Sequence, residues 1–312
     1  PEKVDDIRLA ARLCKCDLVT EMVMEFPSLQ GTIGEIYARL DGHPEEICRA
    51  ISDHYLPVQA DSPLPESLIG SIVGMADRMD TIVGCFAVGL EPTGTADPYA
   101  LRRHAIGIIR IIRDKKVPVA IWDFVEKSSS ILAQTISFDA ATVESKVKNF
   151  IKDRFKNLLL SSGITQDFIE AVLTVDLSYL DQIEERIGAL RGFRESSMDF
   201  EGLVTAFKRI MNITKGFEET GTVNPGLFEH KSEGELWNMV QKLEERARGL
   251  IEKHDYRGAL NLLAGLREPI DTFFTEVMVM AEDMAVRKNR LTMLKQINKL
   301  FLHIADLSKF AV

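Results

Sequence analysis

The chain runs to 312 residues, 46% of them hydrophobic, which is enough for two or three domains each with its own core. It has no run of about eighteen apolar residues and no visible basic-then-apolar leader, so a cytoplasmic protein with no membrane association is expected; Cys14, Cys16, Cys48 and Cys85 suggest no disulfide framework. The net charge of −9 argues against a general affinity for nucleic acid, yet it is unevenly spread: residues 1–100 carry 7 lysines and arginines against 17 acidic residues, residues 101–160 carry 12 against 6, and residues 206–312 carry 16 against 15, so contact with a polyanion is expected only in patches.

Apolar positions recur with helical spacing almost everywhere, which predicts an all-α fold. Asp97 followed by Pro98 reads as a helix start, an N-cap acceptor before a proline whose missing amide costs nothing there. In the helix that follows, Leu101, Ala105, Ile108 and Ile112 line the buried side. Arg103, Gly107 and Arg110 recur on another face, where the glycine can admit a second backbone. Three readings of Arg102, Arg103 and Arg110 stay open: forked contacts to phosphate oxygens, ion pairs with the acidic first hundred residues, or contact with a partner protein. DKKVP at Asp114 marks a boundary, and VPVAIW at Val117, broken by Pro118, reads as a linker or buried turn. Val143, Val147, Ile151, Phe155 and Leu158 mark a long helix that Asp139 opens and Gly163 closes. Thr165 is placed to cap a helix through Phe168, Ile169 and Val172, and Leu177, Leu180, Ile183, Ile187 and Leu190 mark another. The polar stretch GFRESSMD at Gly192 is a second boundary, so the expected divisions are residues 1–115, 116–195 and 196–312.

The last division carries two helices of one design. Phe200, Leu203, Val204, Phe207, Ile210 and Met211 draw an apolar stripe, with Lys208, Asn212 and Lys215 aligned beside it and Arg209 adjacent. After the loop EETGTVNPGLFEH, the segment from Val277 onward reads as one helix. Its Leu291, Leu294, Ile297, Phe301 and Ile304 face inward, while Lys288, Thr292, Lys295 and Lys299 form a polar row, and Glu282 and Asp283 supply favourable negative charge at the start. A single basic row is ordinarily a solvated face. Two in one bundle make a surface suited to a phosphate backbone.

The run DTFFTEVMVMAEDMAVRKNRLTMLKQINKLFLHIADLSKF, with LFEHKSEGELW and AFKRIMNITKG upstream, resembles the C-terminal anticodon-binding bundle of the beta-subunit family of bacterial heterotetrameric glycyl-tRNA synthetases, a bundle of the DALR type. ARLCKCDLVTEMVMEFPSLQGTIGEIYARLDG, AISDHYLPVQADSPLP and GMADRMDTIVGCFAVGLEPTGTADPYALRRHAIGIIRI are similar to that family's HD-like domain, with Arg78 and Met79 in ADRMD departing mildly from its pattern. The resemblance covers nearly the whole chain. It implies a degenerate HD-like helical domain over residues 1–115, a helical linker or body region over 116–195, and the DALR-type bundle over 196–312. Since Pro1 is not an initiator methionine and the family's HD-like domain begins upstream, the chain is expected to be a C-terminal portion.

The resemblance also implies a role. The chain would be a tRNA-binding part of a glycine–tRNA ligase beta subunit, recognising tRNA(Gly) by its anticodon and acceptor limb and positioning it for glycylation at the class II active site of the alpha subunit, in an alpha2beta2 tetramer. ATP with Mg would be used by that holoenzyme; no cofactor and no catalytic residue is expected in this portion. Recognition of an RNA loop asks for splayed bases that meet flat and polar side chains. The predicted tRNA-contacting set is Lys208, Arg209, Asn212, Arg287, Asn289, Arg290 and Lys295, joined by Arg102, Arg103 and Arg110. Phe228, Trp237 and Tyr256 are available as stacking platforms, although aromatics at helix boundaries are more often core residues.

Two alternatives stand beside this reading. One is a metal-dependent HD-type phosphohydrolase, whose histidines and aspartates must converge on cations that activate water. LCKCDLVT offers Cys16-Asp17 where a His-Asp pair is needed, and LQGTIGE offers Gln30 in place of a histidine. Asp17, His54 and Asp77 remain as vestigial ligand candidates, too few and too scattered, and no metal is expected. The other alternative is a helical protein-interaction module. No phosphate loop of the GxxxxGK[ST] kind and no serine, histidine and acid grouping appears.

Overall fold

The computed structural model describes residues 3–59, 61–175, 178–196, 200–218 and 221–311. It divides into two compact units, Pro1–Leu158 with Ser178–Asp181, and Leu159–Leu177 with Gln182–Val312. The fold is all-α; among the described residues there is no β-strand, only an isolated bridge between Thr93 and Ala96.

The first unit opens with α1 (Val4–Leu13), the short α2 (Glu21–Glu25), and the pair α3 (Thr32–Leu40) and α4 (Glu45–Asp53). The turn joining α3 to α4 is tight because Gly42 takes φ +83°, a left-handed conformation strained for any residue with a Cβ, and His43 N then donates to Ala38 O at 3.0 Å. α5 (Leu68–Ala87) is the central rod, started by Ser67, whose hydroxyl accepts from Gly70 N. Its Ile69 and Val73 pack with Ala10 of α1, Cys14 at the end of that helix, and Ile47 and Ala50 of α4. Burying each such isoleucine or valine contributes about 1.5–3 kcal/mol.

α6 (Leu101–Lys115) packs on α5 and buries Leu101, Ala105, Ile108 and Ile112, the stripe read from the sequence. Its start differs from expectation. Ala100 holds the N-cap position at φ 57°, and Asp97 acts from further back, its carboxylate accepting from the amides of Leu101 and Arg102 at 2.8 and 3.0 Å. Pro98 therefore lies in the turn before the helix rather than at its first position.

Residues 117–120 form the expected connection, but Ile121 then begins α7 (Ile121–Leu132), a helix the sequence reading did not contain. Ile121 and Val125 are fully buried, α7 packs on α5, and Ile121 N donates to Ser178 O at 2.8 Å. α8 (Ala140–Ser161) opens at Asp139, which accepts from Thr142 N at 3.2 Å, and gives way to Gly163 at φ +80°. α9 (Gln166–Leu173) follows Thr165, whose hydroxyl turns to the Asp167 carboxylate instead of capping the helix. Then comes α10 (Leu180–Ser196); Leu177, expected in its stripe, lies outside the described residues. Residues 116–195 are thus shared between the two units, since α7 packs into the first and α9 into the second.

The second unit continues with α11 (Phe200–Ile213), α12 (Lys231–Glu252), α13 (Tyr256–Ala264), α14 (Arg267–Glu276) and α15 (Met284–Leu302). α15 is buried on most of its circumference, through Leu291, Met293, Leu294, Ile297 and Phe301. Phe207 of α11 meets Phe301 edge-on at 5.5 Å between ring centroids, and Phe310 meets Phe168 and Phe200 at 5.0 and 5.1 Å. Asp306 N donates to Ala171 O at 2.8 Å, which ties α9 to the end of the chain.

The single helix expected from Val277 is broken. α14 ends at Glu276, and α15 starts only after Asp283, whose carboxylate accepts from the amides of Ala285 and Val286 at 2.7 and 3.1 Å. In the intervening segment the carbonyls of Met278 and Ala281 accept from Arg290 and Arg287, so side chains satisfy groups that a continuous helix would have paired.

Candidate nucleic-acid interface

α11 presents its polar row outward. Asn212 and Lys215 are exposed, Lys208 is half-buried, and the apolar stripe from Phe200 to Ile210 is buried beneath them. Arg209 is exposed, with its guanidinium 4.4 Å from the centroid of Phe274 and 4.0 Å from Asp271, so it is steadied by a flat ring and a distant carboxylate.

The matching row on α15 is covered in its middle. Lys288 and Lys299 are exposed, whereas Thr292 is buried, its hydroxyl donating to Lys288 O at 2.8 Å. Lys295 is half-buried and donates to Phe217 O at 2.7 Å, with its ammonium 5.6 Å from the Phe217 ring centroid. Lys295 thus joins α15 to the segment just after α11, which brings it near the end of the Lys208–Asn212–Lys215 row.

Three residues of the predicted contact set serve the fold instead. Arg290 is 5% exposed; its Nε donates to Glu233 Oε1 at 2.8 Å, and its Nη2 donates to Glu233 Oε2 at 3.1 Å and to Glu229 Oε2 at 2.9 Å. Burial would push the Glu233 carboxyl up, but Arg290 and the amides of His230 and Glu229 outweigh it and hold the group below the usual carboxylate range. Asn289 is buried and exchanges two hydrogen bonds with the backbone of Asn224, its Oδ1 accepting at 2.7 Å and its Nδ2 donating at 3.0 Å. Arg287 is half-buried and donates to Ala281 O at 2.8 Å. Asn289 and Arg290 are spent on groups far off in sequence, which no helical periodicity reveals, while Arg287 turns back to the segment before its own helix. Trp237 and Tyr256 are buried, as their commoner role suggests, and Phe228 is half-buried.

In the first unit, Arg102 donates to Gly94 O at 2.6 Å, Arg110 to Ser62 O at 3.1 Å, and Arg103, exposed, reaches Val58 O at 3.5 Å. Arg103 also lines a cavity of about 360 Å³ with Arg78, His104 and Tyr55. Arg78 is 5% exposed and donates to the carbonyls of His54, Gly74, Tyr55 and Pro57 at 2.8, 2.9, 2.8 and 3.3 Å. Gly107 makes room for it: a Cβ there would stand 2.9 Å from Arg78 Nε, so this glycine admits a guanidinium and not the second backbone expected.

Each of the three vestigial ligand candidates makes a separate contact of its own. Asp17 is buried and accepts from Gly31 N at 2.6 Å; Asp77 pairs with Lys15; His54 is buried with Nδ1 2.6 Å from Ile51 O, and burial pushes its pKa down. Among the described residues no three His, Cys, Asp or Glu side chains converge where a metal ion could sit.

Residues 2–174 match the model of the glycyl-tRNA synthetase beta subunit family, more than half of the chain. The chain belongs to that family. Residues 203–307, which include most of α11 and all of α15, match the model of the DALR anticodon binding domain. The glycine–tRNA ligase beta subunit of Syntrophotalea carbinolica is 44% identical over 313 residues, covering 100% of this chain and 45% of the relative. That of Citrifermentans bemidjiense is 44% identical over 311 residues, covering 100% and 45%, and that of Geobacter metallireducens 46% identical over 302 residues, covering 97% and 44%. The chain spans less than half the length of these curated relatives. Membership in the family directs attention to the DALR-matched unit, whose exposed cations include Arg209, Lys215, Lys288 and Lys299, with Lys208 and Lys295 half-buried.

Proposed function

We propose that the chain is the tRNA-gripping portion of a glycine–tRNA ligase beta subunit, acting by positioning. Lys208, Arg209 and Asn212 of α11 and Lys215 just after it, with Lys295 and Lys299 of α15, bind the anticodon arm of tRNA(Gly). Arg102, Arg103 and Arg110 meet phosphates of the acceptor limb, where a guanidinium fork suits phosphate oxygens. Holding both ends presents the terminal adenosine to the active site of an alpha subunit, so that a bimolecular encounter becomes a local one. The holoenzyme is an alpha2beta2 tetramer in the cytoplasm, and it spends ATP with Mg at the alpha subunit's centre.

The observation that carries this reading is the outward α11 row lying inside the segment that matches an anticodon-binding domain. A gel-shift panel of tRNAs with different anticodons tests it. Tighter binding of tRNA(Gly) than of the others is expected, and equal binding of all of them would overturn it.

A further inference from the structure

The cavity of about 360 Å³ in the first unit carries positive charge without a counter-ion on its wall. Arg78 lines it, 5% exposed, and its Nη hydrogens go to the backbone carbonyls of His54, Gly74, Tyr55 and Pro57. Carbonyls orient a guanidinium but do not neutralise it. Asp77, the carboxylate that acts on Arg78, is itself paired with Lys15, and burial pushes the Arg78 pKa down. Arg103 is exposed on the same wall and has no carboxylate partner among the described residues; its hydrogen bond to Val58 O is 3.5 Å long, at the outer limit for such a bond. His104 is half-buried beside them, its ring without a hydrogen-bond partner among the described residues. Burial and the nearby Arg78 push its pKa down, which leaves a neutral ring with one N–H to donate.

Two guanidiniums, that N–H and the exposed Ser28 hydroxyl thus border a space in the size range of small-ligand sites, and no Asp or Glu lines it among the described residues. Pro57 and Val58 give it an apolar side. We propose that this cavity binds a phosphate monoester, the group that ends a nucleotide or the 5′ end of an RNA chain. Arg103 and His104 donate to the phosphate oxygens, Arg78 supplies charge, and the sugar lies against Pro57 and Val58. A monoester carries about −1.5 to −2 at neutral pH, which two guanidiniums balance. A diester brings only one negative charge. For an RNA end the inference rests on the acceptor-limb reading of Arg103 above; for a free nucleotide it stands without that reading.

Two titrations of the full chain separate these sources. The first compares uridine 5′-monophosphate with uridine and with 3′,5′-cyclic uridine monophosphate, which keeps the base and sugar but holds a diester. The second compares tRNA(Gly) bearing a 5′-phosphate with the same tRNA ending in a 5′-hydroxyl. A preference of about tenfold or more for the monoester is expected in at least one of them, the ratio that one charged hydrogen bond provides. Arg103→Gln, at an exposed position, should cut that preference to below about threefold. Val58→Trp, which fills the cavity from a residue 57% exposed, should do the same. A preference in the first titration names a free nucleotide as the guest, and one in the second alone names the RNA end. No preference in either, or one that the folded variants keep, overturns the assignment. Should tRNA(Gly) bind no better than an unrelated tRNA, the tRNA reading fails while the first titration still decides the cavity.

Discussion

Arg290 and Lys208 look alike in sequence, each a basic residue beside an apolar stripe, yet Arg290 is buried in an ion-pair network and Lys208 is only half-buried, so they should fail in different ways. Arg290→Met strands Glu233, which is 0% exposed, and should cost about 3–5 kcal/mol in urea unfolding. Lys208→Ala should stay within about 0.5 kcal/mol. Equal unfolding midpoints for the two would remove the structural role given to Arg290. The pH dependence has a definite sign. Glu233 is held below its ordinary value of 4.5, so its contribution is full above that pH and is lost as the pH falls through the depressed value. Residue type alone could not separate these positions. The apolar stripe of α11 gave away Lys208, Asn212 and Lys215 because their neighbours i±3 and i±4 settle which way they point. Asn289 and Arg290 point at partners 65 and 57 residues away in sequence.

At the scale of elements, legibility follows local chemistry. Asp139 and Gly163 bracket α8 as read, since an N-cap acceptor and a left-handed glycine act on residues within one turn. α7 escaped notice because Pro118 draws attention to the connection before it, while Ile121 and Val125 reveal their face only against α5. The break before α15 was equally hidden: Met278 and Ala281 leave the helix because Arg290 and Arg287 take their carbonyls. Asp283 then carries the new start. Asp283→Ala should lower stability by about 1 kcal/mol in thermal or urea unfolding, in line with the loss of an N-cap, with Asp283→Asn recovering most of it. If the alanine variant unfolds like wild type, α15 does not depend on that cap.

For the whole molecule, charge is the property that the chain's composition conceals most. A net −9 would suit a protein that avoids RNA, and residues 1–100 do hold 17 acidic side chains against 7 basic ones. The DALR-matched unit escapes that bias by placing Arg209, Lys215, Lys288 and Lys299 at its surface while Arg290 neutralises acids inside. Fold class and family were legible in the sequence, because helical periodicity and long matching runs are distributed over the whole chain. The set of accessible cations was not, because it depends on which of them the tertiary structure consumes. The decisive measurement is the salt dependence of tRNA(Gly) binding by the full chain, compared with a Lys208→Ala, Lys215→Ala double variant that leaves the core untouched. Loss of two phosphate contacts should weaken binding to every tRNA alike and flatten the slope of log affinity against log salt by about one to two units. An unchanged affinity with an unchanged slope would mean that α11 does not face RNA at all.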